Sequence, residues 1–530
     1  MNRWVPIHRQ VARPTGYVLV GLAVAMALCA VVGFVYEVFG TPRAADSGGV
    51  LWMMVCAAFT GVCGAGMIAW GAPAKGVQLR RAEATLTTTL VWTLAGLFGA
   101  LPYVVDAGVP YADGVFEAVS GFTTTGATIV EDIEGSMSRS LLLWRSLTQW
   151  LGGMGIVVLF IAVFPSLGVT GKHMFRTEVP GHSAEGLKPK ITETSAALWR
   201  IYAAATFAEA AILMVLFTWW VPKTHDEHWS DNLFDAVCHA MTTLSTGGFS
   251  THNASVGYYE SGLVDYVISG FMLFAAVNFA LYYAATIVRA RRIASTGLTS
   301  QVSLRARDMF SVFSKSVEFR AYCGLVTVMT VLLTIAILPN HGGHWFESLR
   351  YALFMVATTV SSTGYGTDAY MEYPPTGLGL VLTMMFVGGM SGSTAGGIKV
   401  SRIVLLAENT WGQLRRSIRP QVVQVTRLGR EIISDDVLNA VATFFFVYIT
   451  TLGIGSVLIA YTDGVPIPTA FGAMLTSVSN MGPGPFFEGD ADNFARYTPV
   501  AKILFSLAMI LGRLEFFTVL ALLLPDFWKH

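Results

Sequence analysis

Ten apolar stretches run through the chain, at residues 17–39, 50–70, 86–105, 141–164, 196–221, 263–288, 321–338, 378–405, 437–461 and 500–524. Each has the length of a membrane-crossing helix, which takes about 20 residues. Only 13% of the 530 residues are charged while 53% are apolar, against about 25% charged in a soluble globular chain. An ordinary cytosolic enzyme is excluded. Because lipid satisfies no backbone polar group, apolar stretches of this length must be helices, and the chain reads as an all-α polytopic membrane protein. The first stretch is too long for a signal peptide and has no small-residue cleavage site close behind it, so it counts as a membrane helix. Cys29, Cys56, Cys63, Cys238 and Cys323 show no CxxC spacing and read as apolar filler.

Ten crossings put both termini on one side, and basic residues say which side. Arg3, Arg9 and Arg13 precede the first stretch. Lys75, Arg80 and Arg81, then Lys172, Arg176, Lys188 and Lys190, then Arg289, Arg291, Arg292, Arg305, Arg307, Lys315 and Arg320, then Arg402, Arg415, Arg416, Arg419, Arg427 and Arg430 occupy the even-numbered connections. The positive-inside bias therefore predicts cytoplasmic N and C termini. The odd-numbered connections carry acids instead, among them Asp106, Asp113, Glu117, Glu131, Asp132 and Glu134. The formal net charge of zero gives no sign of a nucleic-acid partner; the partner implied is the bilayer.

Four of the outer connections each hold an apolar segment too short to cross. These are expected as re-entrant half-helices at 115–120 with Asp113 as cap, at 233–241 opened by Asp231, at 345–360, and from near Thr469. After them come Thr123-Thr124-Thr125-Gly126-Ala127-Thr128, Leu244-Ser245-Thr246-Gly247-Gly248-Phe249, Ser361-Ser362-Thr363-Gly364-Tyr365-Gly366 and Ser479-Asn480-Met481-Gly482-Pro483-Gly484. Aligning Gly126, Gly247, Gly364 and Gly482 gives separations of 121, 117 and 118 residues. One such string is usually a turn, but four at one period mark an internal repeat. The expected architecture is four parallel helix, pore-helix, filter-loop, helix repeats at 83–190, 191–316, 317–432 and 433–530 around a central ion pathway, preceded by two extra N-terminal helices within 1–82. Irregular backbone at membrane depth must be buried or line a wet cavity. A ring of its carbonyls can replace the hydration shell of a cation. The candidate filter residues are Thr124, Thr125, Gly126, Ser245, Thr246, Gly247, Ser362, Thr363, Gly364, Asn480, Met481 and Gly482. The fourth copy, with Asn480 and Met481 in place of hydroxyl residues, makes the ring asymmetric.

The four repeats resemble the Trk/Ktr/HKT superfamily of potassium transporters, and within it Ser120-Gly121-Phe122-Thr123-Thr124-Thr125-Gly126-Ala127-Thr128, the segment Trp144-Arg145-Ser146 through Gln149-Trp150-Leu151-Gly152-Gly153-Met154-Gly155, and Gly512-Arg513-Leu514-Glu515 resemble the TrkH branch. The likeness covers about the whole chain, and the two additional N-terminal spans fit that branch. It implies potassium as the transported ion, since all four filter positions are glycine. It also implies a bacterial inner-membrane homodimer regulated by a cytosolic TrkA-like nucleotide-binding subunit. No cofactor is expected on this chain, and control by NAD or ATP would act through that partner. The superfamily leaves open a sodium- or proton-coupled symport of cations.

The eighth stretch is interrupted by Gly388, Gly389, Gly392, Ser393, Thr394, Ala395, Gly396, Gly397 and Lys399. The glycine spacing suits close helix packing or a broken helix; the resemblance implies an intramembrane gating loop. Arg513, inside the last stretch, needs a polar partner, because a charge at that depth costs about 2.5–3.5 kcal/mol. Glu515, on another helix face, is not its direct mate. By resemblance Arg513 reaches the carbonyls of the glycine-rich loop. Arg145 is expected to brace a filter loop, His239 to pack with a satisfied hydrogen bond, and Glu209 to be paired or, on the other reading, proton-coupled. A small-solute transporter would show two inverted halves, and an intramembrane enzyme a converging catalytic set. Neither pattern is present in the sequence.

Overall fold

A computed structural model of the chain describes residues 7–41, 43–71, 81–162, 191–221, 228–286, 310–421, 426–429, 431–482, 484 and 493–529. Arg3, Lys75, Arg80, Lys172, Arg176, Lys188, Lys190, Arg289, Arg291, Arg292, Arg305, Arg307, Arg430 and Pro483 lie outside the described residues.

The chain folds into apolar helices of two kinds. Long ones present one buried stripe and one open apolar face. In α1 (Ile7–Phe39) and α2 (Gly49–Trp70) the buried stripe of α2 is Met53, Cys56, Ala57, Thr60 and Gly64, spaced for one face of a helix. Leu51, Val55, Phe59 and Val62 stay exposed, as lipid-facing side chains do. The other long helices are α3 (Arg81–Gly99), continued by the short α4 (Leu101–Asp106), then α6 (Arg139–Ala162), α7 (Ile191–Trp219), α11 (Val317–Ile337) and α15 (Asp435–Asp463).

Shorter helices follow four of them. These are α5 (Tyr111–Phe122), α8 (Trp229–Leu244), α12 (Trp345–Val360) and α16 (Ile467–Ser479). They are buried through most of their C-terminal halves; in α16 every residue from Gly472 to Ser479 is buried. Their starts differ from expectation at two points. Asp113 does not cap α5: Pro110 stands at that position, and both Asp113 oxygens accept from Lys502 Nζ at 2.9 Å. Asp231 lies within the first turn of α8, where His228 caps and Asp231 pairs with Arg139.

Among the described residues six helices are long and apolar enough to cross a membrane, or eight if two bent pairs count as spans. The shortfall from ten has physical causes. The first half of α6 carries Arg139, Ser140, Arg145, Ser146 and Gln149, all buried against neighbouring elements. The eighth stretch splits into α13 (Pro375–Met385) and α14 (Val400–Ile418) at the glycine-rich run. The sixth bends by 84° between α9 (Gly262–Ala275) and α10 (Phe279–Thr286), and the tenth by 107° between α17 (Pro499–Arg513) and α18 (Phe517–Leu523). At the first bend Asn278 Oδ1 accepts from Ala280 N at 2.8 Å, an N-cap that restarts the helix. At the second, Glu515 and Phe516 both take φ of +57°.

Arg139 fixes the α1–α2 pair to this frame. Its guanidinium donates to Asp46 at 2.6 Å, to Asp231 at 2.7 Å and to the Thr41 carbonyl at 2.7 Å. Of the cysteines, Cys29, Cys56 and Cys238 are buried as expected, whereas Cys323 is exposed on the helix surface.

Candidate ion site

The four short helices end alike. Thr124, Thr246, Ser362 and Asn480 take φ of 53°, 56°, 59° and 52°. The next amide reaches back six residues, counted inclusively: Thr125 N to Ser120 O at 2.9 Å, Gly247 N to Thr242 O at 2.8 Å, Thr363 N to Thr358 O at 2.9 Å and Met481 N to Thr476 O at 2.9 Å. This is the six-to-one closure of a helix by a left-handed residue. Glycine usually takes that conformation, and holding Thr there is strained, as at sites where function dictates backbone shape.

The shared geometry corrects the sequence alignment. Two residues after each left-handed position stand Gly126, Gly248, Gly364 and Gly482. Gly248, with φ of 78°, matches Gly126 at 81° and Gly364 at 85°. Gly247 occupies the position of Thr125, Thr363 and Met481. The second copy is therefore Thr246-Gly247-Gly248, and Ser245 falls one place before it. Adjacent glycines made both registers readable in sequence; only the dihedral distinguishes them.

The strings meet one another. A Cβ on Gly126 would collide with the Gly247 carbonyl oxygen, and one on Gly248 with the Thr363 carbonyl oxygen; one on Gly482 would lie 3.1 Å from Gly126 O. Fourth touches first, first touches second and second touches third, so backbone oxygens gather where only glycine fits. Side chains brace them from behind. Gln149 donates to Gly247 O at 2.8 Å and accepts from Phe249 N at 3.1 Å. Asn480 Nδ2 donates to Thr125 Oγ1 at 3.1 Å and Met509 O at 2.8 Å. Tyr365 from the third string reaches behind the second, 2.5 Å from Thr242 Oγ1. Arg145 donates to Glu117 at 2.8 Å and Ser250 O at 2.8 Å, and Glu117 accepts from Ile129 N at 3.0 Å, so Arg145 braces two strings. Sequence reasoning passed over Gln149 and Glu117 as site residues. Their signal was polarity inside otherwise apolar helices.

The glycine-rich segment lies against the ends of the short helices. Gly388 N donates to Ile398 O at 2.9 Å and Ile398 N to Phe386 O at 3.1 Å, closing the segment at its base. The segment touches three elements: at its tip Thr394 Oγ1 donates to Leu244 O at 3.1 Å and Gly396 N to Ser362 Oγ at 2.6 Å, and before the tip Met390 N donates to Ala276 O at 2.9 Å. The crowding explains the glycines. A Cβ on Gly396 would strike the Ser479 carbonyl, one on Gly388 the Gly396 carbonyl, and Gly392 has φ of 73°. Lys399 Nζ donates to Ala395 O.

Arg513 donates to Thr394 O at 2.7 Å and to Gly152 O at 3.5 Å. It thus reaches the segment across 119 residues of sequence. Glu515 pairs instead with Arg402 at 2.6 Å. Together with Lys399, Arg402, Asn480, Arg513 and Glu515, the segment lines a small cavity.

Outside this region His239 is satisfied as expected, by Asp235 O at 2.9 Å and Ser250 Oγ at 3.0 Å. Glu209 is buried, and neither of its oxygens has a hydrogen-bond partner among the described residues. Its expected pairing is absent there, since the nearby Thr243 hydroxyl donates to His239 O at 2.7 Å. In the loop after the second string His252 stands between Asp235 at 2.9 Å and Glu134 at 3.0 Å. Burial disfavours the charged ring, but the two carboxylates outweigh burial and raise its pKa to about 9.

Residues 49–528 match the family model described as TrkH, cation transport protein. The chain is 34% identical over 457 residues to the Trk system potassium uptake protein TrkH of Salmonella typhimurium, covering 86% of this chain and 87% of that protein. It is 35% identical over 456 residues to TrkH of Halomonas elongata, covering 85% and 87%. The crystal structure of the potassium transporter TrkH from Vibrio parahaemolyticus superposes with a TM-score of 0.81 at 29% identity, covering 98% of this chain and 99% of that one. A glycine-lined meeting of four loops above a broken helix, in a chain this similar to those proteins over most of its length, makes it a member of the TrkH family of cation transport proteins.

Proposed function

We propose that this chain takes up potassium across the bacterial inner membrane, with its N and C termini in the cytoplasm. Outer acids attract the cation. Carbonyls of Thr124-Thr125-Gly126, Thr246-Gly247-Gly248, Ser362-Thr363-Gly364 and Asn480-Met481-Gly482 replace its water shell. The four short helices direct their negative C-terminal ends at that point, which disfavours anions. The glycine-rich segment from Gly388 to Lys399 is the gate, and Arg513 is its latch and a positive barrier to cations. The four repeats and the N-terminal pair are the functional units, two copies form a dimer, and a TrkA-like nucleotide-binding subunit on the cytoplasmic loops sets the gate.

The observation that carries this reading is the chain of contacts in which glycine of one string abuts a backbone oxygen of the next. The relatives' names as potassium uptake proteins supply the ion. The test is growth of a host lacking its own potassium uptake on limiting potassium. Wild type should restore growth and Gly126→Ser should not; failure of wild type, or equal rescue by both, counts against the reading.

A further inference from the structure

Glu318 lies in the first turn of α11, where an acid ordinarily does no more than complement the helix dipole. Here it is buried, with 3% of its surface exposed. A buried carboxylate must be hydrogen-bonded. The partners it finds are two backbone amides of the glycine-rich segment: Oε1 accepts from Ser391 N at 2.7 Å and from Ser401 N at 3.1 Å. Those amides are 10 residues apart, and their side-chain hydroxyls lie 2.6 Å from each other. One carboxylate oxygen thus joins the limb that descends from Met390 to the limb that opens α14. Oε2 has no hydrogen-bond partner among the described residues, so the side-chain hold of Glu318 falls on the single shared oxygen, beside the backbone bonds Gly388 N to Ile398 O, Ile398 N to Phe386 O and Val400 N to Gly389 O.

Everything between the two amides is the part of the segment that touches the site. Thr394, whose carbonyl accepts from Arg513, and Gly396, whose amide donates to Ser362 Oγ, both lie there. The segment is therefore pinned at its tip by Arg513 and Ser362, and at its neck by Glu318.

We propose that Glu318 is the positioning residue that holds the glycine-rich segment closed, its one oxygen clasping both limbs so that the tip stays under the ring. The inference rests on the gate reading of that segment. Opening requires the limbs to part, and two charge-assisted hydrogen bonds must break for that to happen. Glu318 touches no ion in this scheme; it sets the closed population of the gate and leaves selectivity to the ring.

The test is rubidium tracer uptake by proteoliposomes holding the full chain without regulatory subunit. Glu318→Ala should raise basal uptake roughly tenfold, the worth of one net hydrogen bond to a charged group, with the potassium-to-sodium preference unchanged. Glu318→Gln keeps an acceptor oxygen in place and should raise it about two- to threefold, since a neutral acceptor bonds less strongly. The glutamine variant carries the test if alanine prevents folding. Basal uptake at the wild-type level in the folded variants, or increased uptake that has lost its preference for potassium, overturns the anchor role. Arg513→Ala is run beside them: a rise there without one in the Glu318 variants refutes the anchor alone, whereas no rise in any variant refutes both the anchor and the gate.

Discussion

Gly247 and Gly248 are neighbours, yet a methyl group on each should do different things. At Gly248 the backbone has φ of 78° and the new Cβ would collide with the Thr363 carbonyl oxygen. The left-handed conformation costs an L-residue about 1–2 kcal/mol, and overpacking against backbone adds about 1–3 kcal/mol. The strain of about 2–5 kcal/mol is relieved by moving a carbonyl of the third string, one of the proposed ion ligands. At Gly247 the added Cβ meets the end of the Gln149 side chain. That side chain can turn away at the loss of its bonds to Gly247 O and Phe249 N, about 1–3 kcal/mol for the two, and the new Cβ pushes on no carbonyl of another string. Competition of sodium against rubidium tracer uptake in cells reads the difference. Gly248→Ala should lower discrimination between the ions by more than about tenfold, while Gly247→Ala holds it within about threefold, even where less folded protein is recovered. A larger loss of discrimination in the Gly247 variant would refute the register deduced from the dihedrals and restore the alignment on Gly247.

Two further outcomes follow from Arg139 and His252. Removing Arg139 leaves the buried Asp46 without its cation, so Arg139→Ala should lower stability by about 3–5 kcal/mol in thermal melts of detergent-solubilised protein. Arg139→Lys should recover little of it because the fork geometry is lost; ion preference in the folded fraction should not change. The His252 bridge should respond to alkaline pH. Its pKa is raised in the folded chain, to about 9, so its stabilisation is complete below the unfolded value of about 6.5 and disappears as pH climbs through about 9, a loss of up to about 3 kcal/mol. Glu134, held below the ordinary carboxylate value mainly by its hydrogen bond to His252, acts at the other end and weakens the bridge only as pH falls below about 4.5. Melting temperature should therefore decline from pH 7 to 9.5 in wild type and more shallowly in His252→Gln; identical slopes would remove the bridge from the account.

How much of this was legible beforehand depends on whether a feature leaves a local mark. The four strings were readable because three hydroxyl-glycine pairs and the glycine of a fourth string recur at one period. Their common register was not, since Gly247 and Gly248 satisfy the same pattern and only backbone dihedrals separate them. The break at the glycine-rich segment was readable from composition. The bend at Asn278 was hidden because one asparagine among Ala276, Val277 and Phe279 disturbs the hydropathy of that stretch very little. Asp113 looked like a cap because caps are local, whereas its partner Lys502 lies 389 residues away. Glu318 was not singled out in the sequence at all, because its partners Ser391 and Ser401 lie 73 and 83 residues away. Arg513 was the exception: an isolated charge in a long apolar stretch announces that a partner exists, though only the fold identifies it as Thr394 O.

The central claim is that backbone oxygens of four glycine-marked strings select potassium. Its most direct test is potassium-selective tracer uptake into cells of a host without its own potassium uptake, measured for wild type and for Gly126→Ser at equal membrane abundance. The account predicts rubidium uptake by wild type that excess potassium displaces and equal sodium does not, with that preference lost when serine replaces Gly126. Uptake that sodium displaces as well as potassium does, or a preference untouched by the serine, would contradict it.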